Sequence, residues 1–435
     1  MVNTDIITIH MNQMKNSILR YALVFFTRVL GAFTILILNY YVANNYEKES
    51  AGTFFWFFSL VIVIVQLSSL GMNDVILKKI SILNSQKRLS DKFKLIKSVI
   101  NKVIISSVFF AVLSLSIIYL FQLYPFDYKI YLYLIVGVIA YTTSNVYGFY
   151  FQAEGKTVLS IFIQNIIPYF LVVIVSFLFS HSLENILFSL AVGFVLNHVF
   201  SIICFGFKQP ENKDNNETLN VYPMALYMWA IAIMSVIVNW SGPFIVGVIL
   251  NKSDVALYSI SVRIANVLNF FLVAVNIVIA PKIAALYYEN KIFNLQSLMR
   301  SVILSLYLIS IPVTIVVIYW GRDILNIFGT YYTDSAYSTL VILTIGQVVN
   351  ICTGPAGYML SMTGNEKYMG LVYIISTSIF LILITLLTYN FGLIGSAVAT
   401  ATTNAIHNIV LAFIVKRKVS ISLFPFIKSA HNEKI

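Results

Sequence analysis

Two arginines lie within long apolar stretches of this 435-residue sequence. Arg28 is ten residues into the stretch 18–44, and Arg263 is eight residues into the stretch 255–281. A cation at the centre of a bilayer costs at least about 2.5–3.5 kcal/mol, so it is expected to face a partner or water. All 17 Asp and Glu lie outside the apolar stretches. The sequence therefore predicts that an anionic substrate supplies the counter-charge; the alternative is that the arginines bond backbone carbonyls freed at a kink.

Uncharged polar residues accompany the arginines at helical spacing. Asn39 shares a side with Arg28, while Ser259 and Asn266 share a side with Arg263. Further candidates for a polar cavity in other apolar stretches are Asn145, Asn350, Asn404 and His407. Such side chains also bond helices to one another for about 0.6 kcal/mol each, so packing is the alternative interpretation. Because histidine ordinarily titrates near neutrality, His407 is also a candidate proton relay.

The composition indicates whether these residues lie in a soluble protein or in a membrane protein. The chain is 59% apolar and 10% charged, with a mean hydropathy of +0.87, whereas soluble domains average about 45–50% apolar and about 25% charged residues. A soluble protein is thereby excluded, and the apolar stretches must be helices because a helix satisfies its own backbone hydrogen bonds in lipid. Twelve spans are predicted, at 18–44, 51–71, 99–121, 130–151, 158–180, 186–207, 224–250, 255–281, 299–320, 338–361, 369–389 and 393–415.

The basic residues predict the orientation of these spans. Of the 28 Lys and Arg, 21 fall on the side of the N-terminus and 4 on the opposite side. The positive-inside rule then predicts that both termini are cytoplasmic, so the net charge of +11 reflects topology and not a nucleic-acid partner. Neither a nucleotide-binding glycine loop nor a metal-binding His motif occurs, so we expect no catalytic residue, no metal site and no cofactor.

The chain divides into two equal sets of spans. We predict an all-α integral membrane protein with two six-helix bundles around a central cavity, comprising an N-terminal bundle (1–207), a cytoplasmic linker (208–223), a C-terminal bundle (224–415) and a basic cytoplasmic tail (416–435). Prolines at 168, 243, 312 and 355 are expected to bend or break their helices.

Several soft motifs resemble one family. They are the segment from Val255 to Arg263, Ala280-Pro281-Lys282, Ile327-Phe328-Gly329, and the segment from Phe391 to Ala397. Over about Ser17 to Val415 the chain resembles the lipid-linked oligosaccharide flippases of bacterial O-antigen and capsule synthesis. These form the polysaccharide transporter family of the multidrug, oligosaccharidyl-lipid and polysaccharide exporter superfamily. Where many relatives have an acid in the seventh helix, this chain reads Asn239-Trp240-Ser241-Gly242, which argues against a carboxylate-based ion site there.

The resemblance implies a specific function. Two bundles in a V would flip an undecaprenyl-diphosphate-linked repeat unit, of the type used in lipopolysaccharide, to the outer leaflet of the bacterial inner membrane by alternating access. Arg28 and Arg263 would bind the diphosphate. The expected partners are this substrate, membrane lipids, a polysaccharide polymerase and a chain-length regulator, with proton or sodium coupling left open.

Two other functions compete with this prediction. A cation-coupled multidrug exporter of the same superfamily usually needs an acid within the membrane, and the predicted spans contain none. A membrane-embedded polysaccharide polymerase or ligase usually has a long outward loop, and the longest here is about Gly321 to Ser335. A flippase for peptidoglycan precursors would share the fold and a cationic cavity.

Overall fold

The fold is all-helical in the part of the chain that the structure, a computed structural model, describes. The described residues are 2–85, 89–125, 127–206, 222–329 and 334–423. The N-terminal lobe contains α1 (Val2–Asn45), α2 (Lys48–Ser68), α3 (Met72–Ser85), α4 (Leu89–Leu120), α5 (Tyr128–Ala153), α6 (Thr157–Ile161), a π-helical turn (Phe162–Ile166), α7 (Ile167–Ser176) and α8 (Leu183–Phe205). The C-terminal lobe contains α9 (Tyr222–Ile249), α10 (Lys252–Ala265), α11 (Val267–Tyr288), α12 (Ile292–Ile327), α13 (Asp334–Cys352), α14 (Ala356–Met362) and α15 (Glu366–Val419).

Polar caps begin several of these helices. The side chains of Asp127, Ser182 and Asn251 accept hydrogen bonds from backbone N–H groups in the first turns of α5, α8 and α10. An N-terminal turn has N–H groups without helical partners, and a side-chain oxygen satisfies one of them. The apolar stretches after these caps are long enough to continue as membrane helices.

The number of spans agrees with the twelve predicted. Ten described helical segments are long and apolar enough to cross a membrane, and Val236–Ile249 is a shorter apolar helix within α9. The segment Glu366–Val419 has 54 residues and is broken at Gly392, so it supplies two spans rather than one. The protein is therefore a multi-pass membrane protein with two helical lobes.

Some helices extend beyond the predicted spans. The third span is part of a longer helix that begins at Leu89 instead of 99, and the sequence did not predict α3 before it. The predicted linker lies almost wholly outside the described residues. The predicted tail begins inside α15, since this helix continues to Val419. Its last turn contains Lys416, Arg417 and Lys418. Cations at this position stabilise a helix because its C-terminal end carries the negative end of the helix dipole.

Prolines affect their helices unequally. Pro355 lies at the break between α13 and α14, and Pro168 lies in the first turn of α7 after the π-helical turn. Pro243 and Pro312 instead lie inside the helices α9 and α12, which are not broken there.

The two lobes share a core in one half of the molecule only. We call the ends of the helices near Lys48 and Lys252 the outer ends, because the charge pattern places them outside the cytoplasm. In the outer half, a single apolar cluster includes residues of both lobes, from Leu38 to Ala397. In the opposite half each lobe has a cluster of its own, centred on α3 to α5 in one lobe and on α11, α12, α14 and α15 in the other. The lobes are thus joined at the outer ends.

The outer junction is formed by α2 against α9 and α10. Trp56 stacks on Phe244 with a ring separation of 5.2 Å, and its indole N–H donates to the Phe244 carbonyl at 3.1 Å. A Cβ on Gly52 would clash with the backbone carbonyl of Lys252, so glycine permits the close approach of α2 and α10. Towards the other end, α9 remains against α2, since Trp229 donates to the Leu67 carbonyl at 2.9 Å.

Candidate functional site

Arg263 lies where the two lobes meet. It is in the last turn of α10, and its guanidinium carbon is 4.7 Å from the ring centre of Trp240 on α9 and 5.6 Å from that of Phe58 on α2. The ring of Tyr169, on α7, packs against Phe58 at 5.9 Å. One cation of the C-terminal lobe is therefore enclosed by aromatic rings from both lobes.

Arg263 has unused hydrogen-bonding capacity. Its Nε is buried without a hydrogen-bond partner, and no salt bridge among the described residues includes Arg263. Aromatic faces attract a cation without removing its charge. The guanidinium can thus bind an anion such as a phosphate, for which its planar fork of donors is well suited.

Arg28 occupies the inward side of α1. The exposed apolar residues of this helix, Phe26, Leu30, Phe33 and Ile37, lie on one face, as lipid-facing side chains would. Arg28 projects from the opposite side at 100° per residue and is nevertheless exposed. Asn39, further along that side, is only 1% exposed. Arg28 therefore lies on the side of α1 away from the lipid-facing residues, and α1 as a whole contacts α6, the π-helical turn and α7 of its own lobe as well as α10 and α11 of the other.

Three of the remaining predicted site residues lie near Arg263 in the C-terminal lobe. Ser259, one turn before Arg263, is buried and its hydroxyl has no partner. Asn266 lies one turn after Arg263, and its amide oxygen accepts from Gln347 at 2.8 Å. Asn350 donates to the same Gln347 at 3.1 Å. These residues thus form a polar network next to Arg263 in the C-terminal lobe.

Asn404 and His407 extend this region, whereas the two asparagines of the N-terminal lobe do not. Both Asn404 and His407 line a cavity of about 420 Å³ with Asn350, and the His407 ring is 3.1 Å from the Ser376 hydroxyl. Asn39 donates to the carbonyl of Ile35 in its own helix at 2.6 Å, which is a packing arrangement. Asn145 is half-buried in α5 and is not among the residues that line this cavity.

Sequence reasoning missed several residues of this region. Trp240 and Phe58 surround Arg263, and Asn269 and Asn276 line the cavity. A signal existed for the asparagines, because 266, 269 and 276 recur on one face at helical spacing. No group of His, Cys, Asp or Glu suited to a metal ion occurs among the described residues.

Residues 223–387 match the family model MatE. The chain is also 25% identical over 241 residues to the probable low-salt glycan biosynthesis flippase Agl15 of Haloferax volcanii. That alignment covers 55% of this chain and 50% of the relative, so the chain matches about half of the relative's length.

Solved structures share the architecture over almost the whole chain. An inward-facing MATE family multidrug resistance transporter of the MOP superfamily has a TM-score of 0.71 at 14% identity, covering 90% of this chain and 94% of that one. The lipid II flippase MurJ, in an inward closed conformation, has a TM-score of 0.69 at 17% identity, with 92% and 87% covered. The chain has a MATE-like fold. The similar proteins named here are transporters or flippases.

Proposed function

We propose that this protein is a flippase for an undecaprenyl-diphosphate-linked oligosaccharide of O-antigen or capsule type in the bacterial inner membrane. The observation that carries the proposal is Arg263, an intramembrane guanidinium between the lobes that forms no salt bridge with the described residues. A diphosphate would supply the missing negative charge and bond the free guanidinium N–H groups. The similarity to a glycan biosynthesis flippase supports the same substrate class.

The proposed mechanism is alternating access between the lobes. With the outer ends joined, the anionic head group would enter from the cytoplasmic side and bind Arg263, with Arg28 as the proposed second cation from the N-terminal lobe. Parting of the outer ends would then release it outwards. The membrane potential is negative inside, so a negative charge that moves outwards moves downhill and releases about 2.3 kcal/mol per 100 mV. The potential therefore favours this direction.

Multidrug export is the second candidate, and the MatE match together with the TM-score of 0.71 to a multidrug transporter favours it. A cationic drug would have to bind beside Arg263, where like charges repel each other. It would usually also need an acid within the membrane, whereas all 17 Asp and Glu lie outside the predicted spans. The charge of the site therefore favours an anionic substrate.

The test is the leaflet distribution of the lipid-linked oligosaccharide in cells of the source organism. We would compare deletion, wild type, Arg28→Ala, Arg263→Ala and Arg263→Lys at equal expression. Arg322→Ala is the matched control, because Arg322 is an exposed cation paired with Asp334. We expect inner-leaflet accumulation in the deletion and in both intramembrane alanine variants, partial clearance with Arg263→Lys, and normal clearance with Arg322→Ala.

Two outcomes would contradict the proposal. If the intermediate crosses normally in the deletion strain without a redundant flippase, the protein is not the flippase for that lipid. If the deletion strain instead becomes sensitive to cationic drugs, multidrug export replaces flipping as the better function. Normal clearance by Arg263→Ala would leave flipping intact and remove the arginine from the site.

A further inference from the structure

The C-terminal lobe encloses a cavity whose polar lining is uncharged. The cavity has a volume of about 420 Å³, which is within the range of about 300–1,000 Å³ typical of ligand pockets. No Lys, Arg, Asp or Glu is among its described lining residues. Its amide side chains are Asn269, Asn276, Gln347, Asn350, Asn404 and Asn408, with Asn239 at one edge. This lining differs in chemistry from the cationic site at Arg263.

The cavity adjoins the Arg263 site. A smaller cleft of about 20 Å³, lined by Tyr258, Val262 and Asn266, shares four wall residues with the larger cavity, namely Val238, Asn239, Gln347 and Asn404. Val262 precedes Arg263, and Asn239 precedes the Trp240 ring on which the guanidinium lies. Arg263 itself lines neither cavity, but α9 and α10 contribute residues both to the Arg263 site and to the cleft. The two sites are therefore neighbours, and one long substrate would occupy both.

Two buried oxygens in the lining have no hydrogen-bond partner. They are the amide oxygen of Asn276, a residue only 5% exposed, and the hydroxyl of Thr403, which is 3% exposed. An unsatisfied buried polar group costs about 1–3 kcal/mol, so such groups usually bond a ligand or ordered water. The amide oxygen of Asn276 can accept a hydrogen bond, while a hydroxyl such as that of Thr403 can donate or accept one.

Aromatic rings complete the lining. Tyr373 packs edge-on against His407 with ring centres 4.5 Å apart, and Tyr358 stands at the cavity near Pro355. Rings offer flat apolar surface, and amides offer paired donors and acceptors. An uncharged ligand with an apolar ring face and hydroxyls in several directions would contact the aromatic rings and bond the amides.

We propose that this cavity binds a neutral sugar of the transported glycan and thereby sets glycan specificity; the inference rests on the proposed flippase function. Amides that have given up water to bond sugar hydroxyls discriminate strongly against a ligand that leaves them unpaired. A uronic acid would bring a carboxylate into a cavity with no described cation in its wall, which is costly. The diphosphate thus anchors the substrate at Arg263, and the amide cavity selects its sugar.

The test measures binding of purified full-length protein in nanodiscs to synthetic lipids. The probes are undecaprenyl diphosphates that carry glucose, galactose, N-acetylglucosamine, glucuronic acid or no sugar. For the wild type we expect at least one neutral sugar to tighten binding about tenfold over the bare lipid, which is 1.4 kcal/mol. Glucuronic acid is expected to give no gain.

Variants assign the gain to the cavity. Asn276→Leu and Thr403→Val preserve side-chain size, and we expect them to lose the neutral-sugar gain while binding the bare lipid like the wild type. Asn390→Leu is the control, because Asn390 is exposed and bonds only the Leu386 carbonyl of its own helix. Melting curves of each variant in nanodiscs verify that it is folded.

The outcomes separate the two proposals. If the bare lipid binds but no neutral sugar adds affinity, or if the gain persists in both cavity variants, the sugar site is refuted and the flippase proposal stands. If Asn390→Leu also loses the gain, the effect does not come from the cavity. If the wild type binds none of the lipids, the flippase proposal and the sugar site both fail.

Discussion

Two aromatic rings from different lobes flank the Arg263 guanidinium. Trp240 comes from α9 and Phe58 from α2, so the arginine contacts both lobes, and it bonds no carboxylate among the residues that the structure describes. A carboxylate would neutralise the charge and compete with an anionic ligand, whereas a ring face attracts the cation and leaves its charge available. This surrounding suits reversible binding of an anion, which a transporter needs.

Replacing the larger ring should weaken anion binding. Cation–π contacts are worth about 0.5–2 kcal/mol, so Trp240→Leu should raise the dissociation constant for undecaprenyl diphosphate by roughly 2- to 30-fold. The measurement is lipid binding in nanodiscs, with Trp320→Leu as control, since Trp320 is 55% exposed and distant in sequence from the site. Equal weakening by both substitutions would show that Trp240 has no special role.

A second prediction concerns a buried ion pair outside the site. Lys92 of α4 bonds Glu154 at 2.9 Å and also bonds Asn84, and its side chain is only 5% exposed. Lys92→Met would leave the Glu154 carboxylate without its cation, at a cost of about 3–5 kcal/mol. Lys129→Met breaks an exposed pair with Glu184, worth at most about 1 kcal/mol. Thermal unfolding in detergent should therefore show a large drop for the first variant alone, and similar drops would contradict this.

The sequence predicts these residues unevenly. Arg263 is conspicuous because it is a cation among apolar residues, but Trp240 and Phe58 are among 4 Trp and 33 Phe with nothing local to distinguish them. Their role depends on how α2 packs against α9 and α10. Asn276 was likewise missed, although its helical spacing from Asn266 was visible, because an asparagine in an apolar helix more often serves packing.

At the scale of helices, some prolines coincide with a break and others do not. Proline removes one backbone hydrogen bond and clashes with the preceding turn, yet Pro243 and Pro312 remain inside continuous helices. Gly354 has a φ of +66° next to Pro355, and there the helix ends. The sequence predicts where a proline could interrupt a helix. Whether the helix breaks there depends on the length and packing of that helix.

Gly392 is the clearest case of a backbone that requires glycine. It separates the last two spans of α15 with a φ of 61° and a ψ of −140°, which side-chain-bearing residues rarely adopt. Gly392→Ala should cost about 1–3 kcal/mol and lower the melting temperature in detergent. Gly137→Ala is the matched control, because a Cβ there would make ordinary contacts at 3.6 Å with Ala191. If the two variants melt alike, the strain at Gly392 is relieved elsewhere.

At the scale of the whole molecule, hydrophobic burial determines at which end of the helices the two lobes pack together. Hydropathy and the charge pattern predicted the number of spans and the two lobes, because each span is a local property of the sequence. Which ends pack together depends on contacts between distant segments, such as the hydrogen bond from Asn44 to the Ile327 carbonyl at 3.0 Å. The shared cluster in the outer half and separate clusters in the other half supply that information.

Gly52→Val should therefore force the outer ends apart. A side chain at Gly52 would meet the backbone carbonyl of Lys252, which cannot rotate away as a side chain could, so α2 and α10 must separate. Spin labels at Leu120→Cys and Tyr389→Cys, both exposed at outer ends, report the distance between the lobes after Cys204 and Cys352 are replaced by serine. We expect a longer and broader distance distribution in Gly52→Val and an unchanged one in Gly137→Ala. An unchanged distribution in Gly52→Val would mean that the close approach of α2 and α10 does not keep the outer ends closed.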